Sequence, residues 1–321
     1  MQLIGNGIGI PFQRKVGGGF VGLLDEVSGA AFAASVRLLR ADYAGGLLRA
    51  RANDGTTDQG EADVLPYDDG GAERFISLDS RLINLDATAI GRGLTTSDTL
   101  GDLLDVGSGN YDGFVPTLYD QAGSSINAVQ AVASRQPKIA TAGVLEVENG
   151  KPAIVANSQF FSVPGGIENN GNPLYTYCVY TQGVPGVNKG IFGDWSGTLS
   201  YAVLSNYFFS PNNFSAINVD TSGARTDINT AISLTNGTQY LINVIFDSNI
   251  EMNYNNINAS NSAAITPPGN GSVLTIFGYD NGVTTVSANS KIQELVLYSI
   301  NQSLNNSAIQ SDINNLFSIY P

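Results

Sequence analysis

The sequence of 321 residues contains no histidine and only one cysteine, Cys178. Without histidine there can be no Ser-His-Asp triad, no Cys-His pair and no imidazole ligand for a metal ion. A single cysteine excludes an intrachain disulfide, a cysteine zinc site and an iron–sulfur cluster. Cys178 lies in an apolar strand pattern and is predicted to be a small buried side chain.

Charge is scarce as well, because only 13% of the residues are charged. The 15 Lys and Arg residues stand against 28 Asp and Glu residues, which gives a net charge of −13. This balance argues against a nucleic-acid partner, since phosphate binding needs clustered basic side chains. No apolar run approaches the roughly 18 residues of a membrane-spanning helix. Arg14 and Lys15 follow the first apolar stretch, the reverse of a secretory signal, so we expect the chain to fold in the cytoplasm where it is made.

Short β-forming runs separated by polar turns dominate the rest of the chain. They predict an all-β fold, a two-sheet sandwich that forms one domain over residues 21–321. Residues 56–110 are turn-rich and acidic, and form either elaborated loops or a small subdomain with a short helix at 99–106. The predicted strands are 47–52, 114–119, 151–155, 160–163, 174–181, 199–209, 240–246, 250–254, 273–277 and 291–300.

Two longer helices are predicted, one in each half of the chain. In residues 29–43 four apolar side chains fall on one helical face, with Ser28 as N-cap and Gly45-Gly46 after the last turn. The second helix follows Ser303 and closes the chain. The apolar face of the first helix is Phe32, Val36, Leu39 and Tyr43, and that of the second is Ile309, Ile313, Leu316, Phe317 and Tyr320.

Residues 1–20 are predicted to form an N-terminal arm that anchors the protein. Their glycines make an isolated ordered backbone costly, yet the stretch is too apolar for a solvated tail. One interpretation is an extended segment that orders against a partner. The other is a flexible terminus or an added strand on the domain's own sheet. The anchoring side chains of the first interpretation are Ile4, Ile8, Ile10 and Phe12.

Two clusters of side chains are candidates for ligand binding. The single tryptophan, Trp195, follows Asp194 and would stack on the apolar face of a sugar ring if it is exposed. The alternative is that Trp195 packs on the sheet. An acidic cluster offers oxygen ligands for calcium, although the full pattern of a calcium loop is absent and a solvated acidic loop is the alternative. That cluster is Asp54, Asp58, Glu61 and Asp63. No other cofactor is expected.

Two stretches carry a family resemblance. The segment 40–55, together with Tyr119-Asp120-Gln121-Ala122-Gly123 and Gln136-Pro137, resembles the start of the catalytic domain of fungal-type α-L-arabinofuranosidase B. The C-terminal strands, the loop around Tyr279-Asp280-Asn281 and the closing helix resemble the end of concanavalin A-like (laminin G-like) domains. The resemblance implies a jelly-roll β-sandwich and a carbohydrate ligand at Asp194, Trp195, Tyr279, Asp280 and Asn281.

The same resemblance tests the possibility of an enzyme. Asp280 matches the family's acid/base position, but an Asp-Asn-Gly turn would show the same residue for structural reasons. No glutamate stands at a position that matches the nucleophile, and Glu146 and Glu148 instead fit an exposed hairpin edge. A retaining glycosidase needs both carboxyl groups. We therefore expect no catalytic residues, with Asp280 as the one candidate.

The glycine-rich arm in front of a lectin-like sandwich also resembles bacteriophage head-fibre, head-decoration or tail-associated proteins. This resemblance implies a catalytically silent virion protein that is assembled in the host cytoplasm and held by its arm to capsid or tail proteins. It also implies a homo-oligomer that contacts host polysaccharide. The alternatives are an arabinofuranosidase-like glycoside hydrolase and a free carbohydrate-binding module.

Overall fold

The computed structural model describes residues 20–70, 73–165, 167, 171–184, 189–195, 199–206, 213–261, 264–268, 273–278 and 289–321. The anchoring side chains predicted in the arm, Ile4, Ile8, Ile10 and Phe12, lie outside these residues. The described chain is mainly β, which confirms the predicted fold class.

The strands of the described chain are short and are numbered in chain order. They are β1 Phe32–Ser35, β2 Leu48–Asn53, β3 Asp58–Val64, β4 Leu82–Ile83, β5 Asp112–Leu118, β6 Ala128–Val129, β7 Lys138–Thr141, β8 Val144–Leu145, β9 Val147–Glu148, β10 Lys151–Pro152, β11 Ile154–Ala156, β12 Phe161–Pro164, β13 Leu174–Thr181, β14 Lys189–Trp195, β15 Leu199–Asn206, β16 Asn213–Val219, β17 Arg225–Ser233, β18 Gln239–Phe246, β19 Ile250–Tyr254, β20 Ile257–Asn261, β21 Val273–Ile276 and β22 Ser290–Tyr298. The helices are α1 Leu23–Glu26, α2 Ala87–Gly91, α3 Leu100–Leu103 and α4 Asn306–Phe317, with a 3-10 turn at Ala133–Arg135.

Every strand pairing in the described chain is antiparallel, and the pairings form two facing layers. One layer runs in the order β1, β22, β13, β18, β19 and β20. The other runs from β6 through β12, β21, β14, β15 and β16 to β17. The inward side chains of both layers form one apolar core, which includes Cys178 and Ile242 from the first layer and Phe192 and Val203 from the second.

The predicted helix over 29–43 is wrong. Residues 32–35 form β1 instead, which pairs with β22 in the register Phe32 to Leu297 and Ser35 to Glu294. This strand is buried on both faces, with Phe32 in the sandwich core and Ala33 in a second core behind the sheet. A strand covered on both sides is apolar throughout, so its residues also match a helical stripe by coincidence.

The C-terminal helix is confirmed as α4. It packs on the outer face of β13, β18 and β22, where four of its five predicted face residues are buried beside tyrosine and valine side chains. Tyr177 and Tyr298 meet edge to face at 6.1 Å beneath it, and the Tyr177 hydroxyl donates to Asn306 Oδ1 at 2.8 Å. The central strand β13 is therefore buried along its whole length, Cys178 included, as predicted.

Residues 56–110 contribute strand, helix and core. β3 pairs with β2 along six positions, and Leu82, Leu100 and Leu103 belong to the sandwich core. The short helix predicted at 99–106 is α3, with Thr99 as its N-cap. Farther along the chain, β9 and β10 form the predicted hairpin at Glu146–Glu148, closed by Asn149 and Gly150, both with positive φ.

Candidate functional site

Asp194, one of the predicted sugar contacts, is fully buried near the end of β14. Its Oδ1 accepts from the backbone N–H of Val273, and its Oδ2 from that of Ile167, both at 3.2 Å. The carboxylate thus ties β14 to neighbouring backbone, and it presents no surface to a ligand. The side chain of Trp195, and the whole of Tyr279, Asp280 and Asn281, lie outside the described residues. Their assignment to a carbohydrate site stays a prediction.

A buried polar row extends from Asp194 across two further strands. Asp194 lies opposite Tyr201 on β15, and Tyr201 lies opposite Asn218 on β16. Two side-chain oxygens of this row, the Tyr201 hydroxyl and the Asn218 amide oxygen Oδ1, are buried and without a hydrogen-bond partner among the described residues. Burial, followed by the charge of Asp194, raises the pKa of Tyr201 well above its usual value. Sequence reasoning missed this row, although a polar residue at an inward position of an alternating strand was a signal for it.

The four acidic residues considered for calcium have other partners. Asp54 caps its turn by accepting from the N–H groups of Thr57 and Thr56, and these bonds lower its pKa to about 2. Arg49 binds Glu61 at 2.8 Å and Asp63 at 2.9 Å, while Asp58 lies 3.7 Å from Arg51. Within the described ranges, no three acidic or cysteine side chains come together in a way that could hold a metal ion.

A buried charge cluster, formed by Arg37, Glu294 and Asp312, lies between α4 and the sheet. Arg37 Nε donates to Glu294 Oε2 at 2.6 Å, and its Nη2 donates to Glu294 Oε1 at 3.0 Å and to Asp312 Oδ2 at 2.9 Å. Arg37 and Glu294 have no exposed surface, and Asp312 is 9% exposed. Burial lowers the pKa of Arg37, but the charges of both carboxylates outweigh it and the net shift is upward. The cluster holds α4 against the sandwich.

Sequence reasoning missed this cluster too, although two signals pointed to it. Glu294 interrupts the apolar strand pattern of β22, and Asp312 lies between Ile309 and Ile313 on the buried face of α4. A charge at an apolar position of a buried element needs an opposite charge close by. The identity of that partner could not be read from the sequence, because Arg37 lies 257 residues before Glu294.

A polar pocket opens beside this cluster, with a cavity volume of about 520 Å³. Its lining from α4 is Ser311, Asp312, Asn315 and Leu316, followed by Ser318. Glu73 and Lys151 face them from two other segments of the chain. We call this the helix-side pocket. It combines two carboxylates, an ammonium group, hydroxyls and an amide within a volume typical of small-molecule sites.

Comparison with known proteins identifies the fold. An arabinofuranosidase complexed with arabinofuranosyl-α-1,2-xylobiose superimposes with a TM-score of 0.53 and 13% sequence identity, over 88% of this chain and 62% of that one. A GH54 α-L-arabinofuranosidase soaked with a cyclic sulfate inhibitor gives 0.53 and 12% with the same coverage. The fold is a concanavalin A-like β-sandwich. This chain thus spans 62% of the length of the arabinofuranosidases it resembles.

A second kind of structure is also similar. The binding domain of Paraclostridial mosquitocidal protein 1 matches with a TM-score of 0.47 and 11% identity, over 62% of this chain and 49% of that domain's chain. No protein-family model matches the sequence, and no curated protein sequence matches it significantly. Among the described helices, none is both long and apolar enough to cross a membrane.

Proposed function

We propose that this chain is a catalytically silent, lectin-like structural protein of a bacteriophage particle that contacts carbohydrate on the host surface. The supporting observation concerns two strand carboxylates that have no exposed surface. Asp194 and Glu294 are fully buried, and their oxygens bind backbone N–H groups or a guanidinium. Neither is exposed to a ligand, and in the helix-side pocket Asp312 is bound by Arg37, whereas a glycosidase needs two carboxyl groups that act on one sugar.

The virion part of the proposal is supported by the sequence. The arm of residues 1–20 is rich in glycine and in apolar side chains, a composition suited to ordering against another protein. The proposed partners are capsid or tail proteins and further copies of this chain. A surface with net charge −13 keeps such a protein soluble at the high copy number of a virion component.

The competing function is an arabinofuranosidase-like hydrolase, and an assay of the purified chain separates the two. We expect no release of nitrophenol from 4-nitrophenyl α-L-arabinofuranoside above the uncatalysed rate, and none from a panel of other chromogenic glycosides. Turnover that disappears in Asp280→Asn, or in Glu73→Gln from the helix-side pocket, would overturn the silent assignment. A Glu146→Gln variant controls for nonspecific loss of charge, because Glu146 directly precedes the β9–β10 hairpin and does not line the helix-side pocket.

Deletion of residues 1–20 tests the anchor. We expect the truncated protein to keep its circular dichroism spectrum, with a somewhat lower unfolding midpoint because Phe20 packs against the core, but to be absent from particles assembled with it. Replacement of Ile4, Ile8, Ile10 and Phe12 by serine in the full chain should have the same effect. Particles that incorporate the truncated protein at the normal level would contradict the anchoring role.

A further inference from the structure

We propose that the helix-side pocket is a binding site for a neutral sugar the size of a mono- or disaccharide. The inference rests on the carbohydrate contact in the proposed function and places it at a site different from the predicted one around Trp195 and Asp280. Four observations carry it: the mixture of polar groups, the fixed position of Asp312, the balance of charge and the size of the pocket.

The first observation concerns hydrogen bonding. Glu73 and Asp312 offer acceptor oxygens, Lys151 offers donor hydrogens, and Asn315 offers both. Each hydroxyl of a sugar is itself both a donor and an acceptor. Adjacent sugar hydroxyls can therefore bind a pocket surface that offers both donor and acceptor side chains. Leu316 adds an apolar surface of the kind that the C–H face of a sugar ring contacts.

The second observation is that hydrogen bonds from the buried charge cluster fix the side chain of Asp312 in position. Asp312 Oδ2 accepts from Arg37 at 2.9 Å, and Arg37 is fixed in turn by its two bonds to Glu294. The Arg37 guanidinium lies 5.9 Å from the ring centre of Phe317, and Phe317 meets Phe75 edge to face at 5.9 Å. A side chain that is already ordered loses less conformational entropy when a ligand binds.

Lys151, on the other side of the pocket, is connected to the same group of side chains. Its ammonium lies 4.8 Å from the ring centre of Phe75. Asp312 and Lys151, on the two sides of the pocket, are thus joined through one continuous set of contacts that runs through Arg37, Phe317 and Phe75.

The third observation is that charges of both signs line the pocket, so a charged ligand of either sign meets a group of its own sign, which favours a neutral ligand. An anionic sugar would meet Glu73 and Asp312, and a cationic sugar would meet Lys151. Like charges brought together in a partly dehydrated pocket oppose binding. The volume of about 520 Å³ provides the fourth observation, because it accommodates one or two sugar rings.

Saturation-transfer NMR on the full chain tests the site. The probes are arabinose, galactose, glucose and lactose, with galacturonate and glucosamine as charged counterparts, each at about 10 mM so that a dissociation constant near 1 mM is detected. We expect transfer to at least one neutral sugar and weaker transfer to its charged counterparts. Preference for galacturonate or glucosamine would overturn the proposed ligand class.

Two pocket variants locate the binding. Asn315→Ala and Lys151→Met should each weaken the affinity about tenfold, since each removes a hydrogen-bonding group from the ligand. Ser307→Ala is the matched control, because Ser307 is exposed on α4 two turns before Asn315 and does not line the pocket. Unchanged unfolding midpoints establish that the variants are folded.

The outcomes separate this inference from the proposed function. If sugars bind and both pocket variants bind as tightly as the parent, the pocket is excluded as their site; loss of binding in Trp195→Ala would then place the contact in the predicted loop. If the full chain binds neither free sugars nor polysaccharide isolated from the host cell surface, the carbohydrate contact in the proposed function is contradicted as well.

Discussion

Arg37 shows how a single buried charge can determine the position of an element 275 residues away in the sequence. Its guanidinium binds two carboxylates in a region with no exposed surface except 9% of Asp312. Removing one member of a buried ionic cluster leaves the others uncompensated, which typically costs about 3–5 kcal/mol. We expect Arg37→Met to lower the free energy of unfolding by that amount in urea denaturation.

A compensated variant provides the control for this prediction. The triple variant Arg37→Met, Glu294→Gln and Asp312→Asn removes all three charges together, so it should recover a substantial part of the loss. If Arg37→Met costs less than about 1 kcal/mol, the cluster is not the main attachment of α4.

For Tyr201 we expect a substitution that raises stability, in contrast to the loss expected for Arg37→Met. Its hydroxyl is buried without a partner among the described residues, while its ring lies 5.9 Å from that of Phe246. Tyr201→Phe keeps the ring contact and removes the unsatisfied hydroxyl, so we expect a gain in stability of about 1 kcal/mol. Tyr177→Phe is the contrasting variant, since it removes a bonded hydroxyl and should destabilise. Equal losses in both variants would contradict this interpretation of Tyr201.

At the scale of elements, the contact between β3 and α2 depends on one glycine. Gly60 has φ +104°, and a Cβ built on it would lie 2.5 Å from the backbone nitrogen of Ala89. Gly60→Ala must therefore strain the strand and also displace α2. Gly55 has φ +94° and nothing within 4 Å of such a Cβ, so Gly55→Ala carries the backbone strain alone.

We expect Gly55→Ala to cost about 1 kcal/mol and Gly60→Ala clearly more, as measured by the midpoint of thermal unfolding. Similar losses in the two variants would mean that α2 moves away from β3 without a penalty. The comparison isolates the helix–strand contact, because both positions require the same unusual sign of φ.

Sequence patterns predicted the elements with a long β-forming run, a helix with one apolar face or a clear turn signal. The strand at Leu174–Thr181, the helix after Ser303 and the Asn149-Gly150 hairpin all followed from apolar spacing or turn residues. The pattern over 29–43 gave a wrong helix because β1 is buried on both sides. Strands β3, β16 and β17 were missed, since their Asp, Asn and Ser residues are uncommon in strands.

The candidate site was less predictable than the fold, because its residues come from distant segments. Glu73, Lys151 and Asp312 share no local motif, and only the packing of α4 brings them to one pocket. The buried polarity of Glu294 and Asp312 was visible as an interruption of two apolar patterns. The sequence did not identify Arg37 as their common partner, because Arg37 reaches them only through the pairing of β1 with β22, which local sequence does not encode.

At the scale of the whole molecule, the titratable groups predict how stability depends on pH. No histidine is present, and burial raises the pKa of Cys178, so neither side chain titrates near neutrality. Burial raises the pKa of Tyr43 and of Tyr175 from 10.0 to about 12 in each case. A raised tyrosine pKa means that the native protein favours the neutral phenol, so this stability is complete below pH 10 and is lost as the pH rises toward 12.

We therefore expect urea midpoints that are nearly constant between about pH 6 and 9 and that fall above pH 10. The part of the tyrosinate absorbance that comes from buried side chains such as Tyr177 and Tyr298, whose pKa burial raises, should rise together with unfolding at alkaline pH. A midpoint that changes strongly between about pH 6 and 8 would contradict this prediction.

The position of Asp312 in the chain has a consequence for synthesis. A ribosome that adds about 5–20 residues per second makes Arg37 tens of seconds before it makes Asp312. For nearly all of that interval Arg37 lacks both carboxylate partners, because Glu294 lies only 18 residues before Asp312, and the outer face of β13 has no helix over it. A product truncated before α4 therefore exposes apolar surface and the Arg37 guanidinium together.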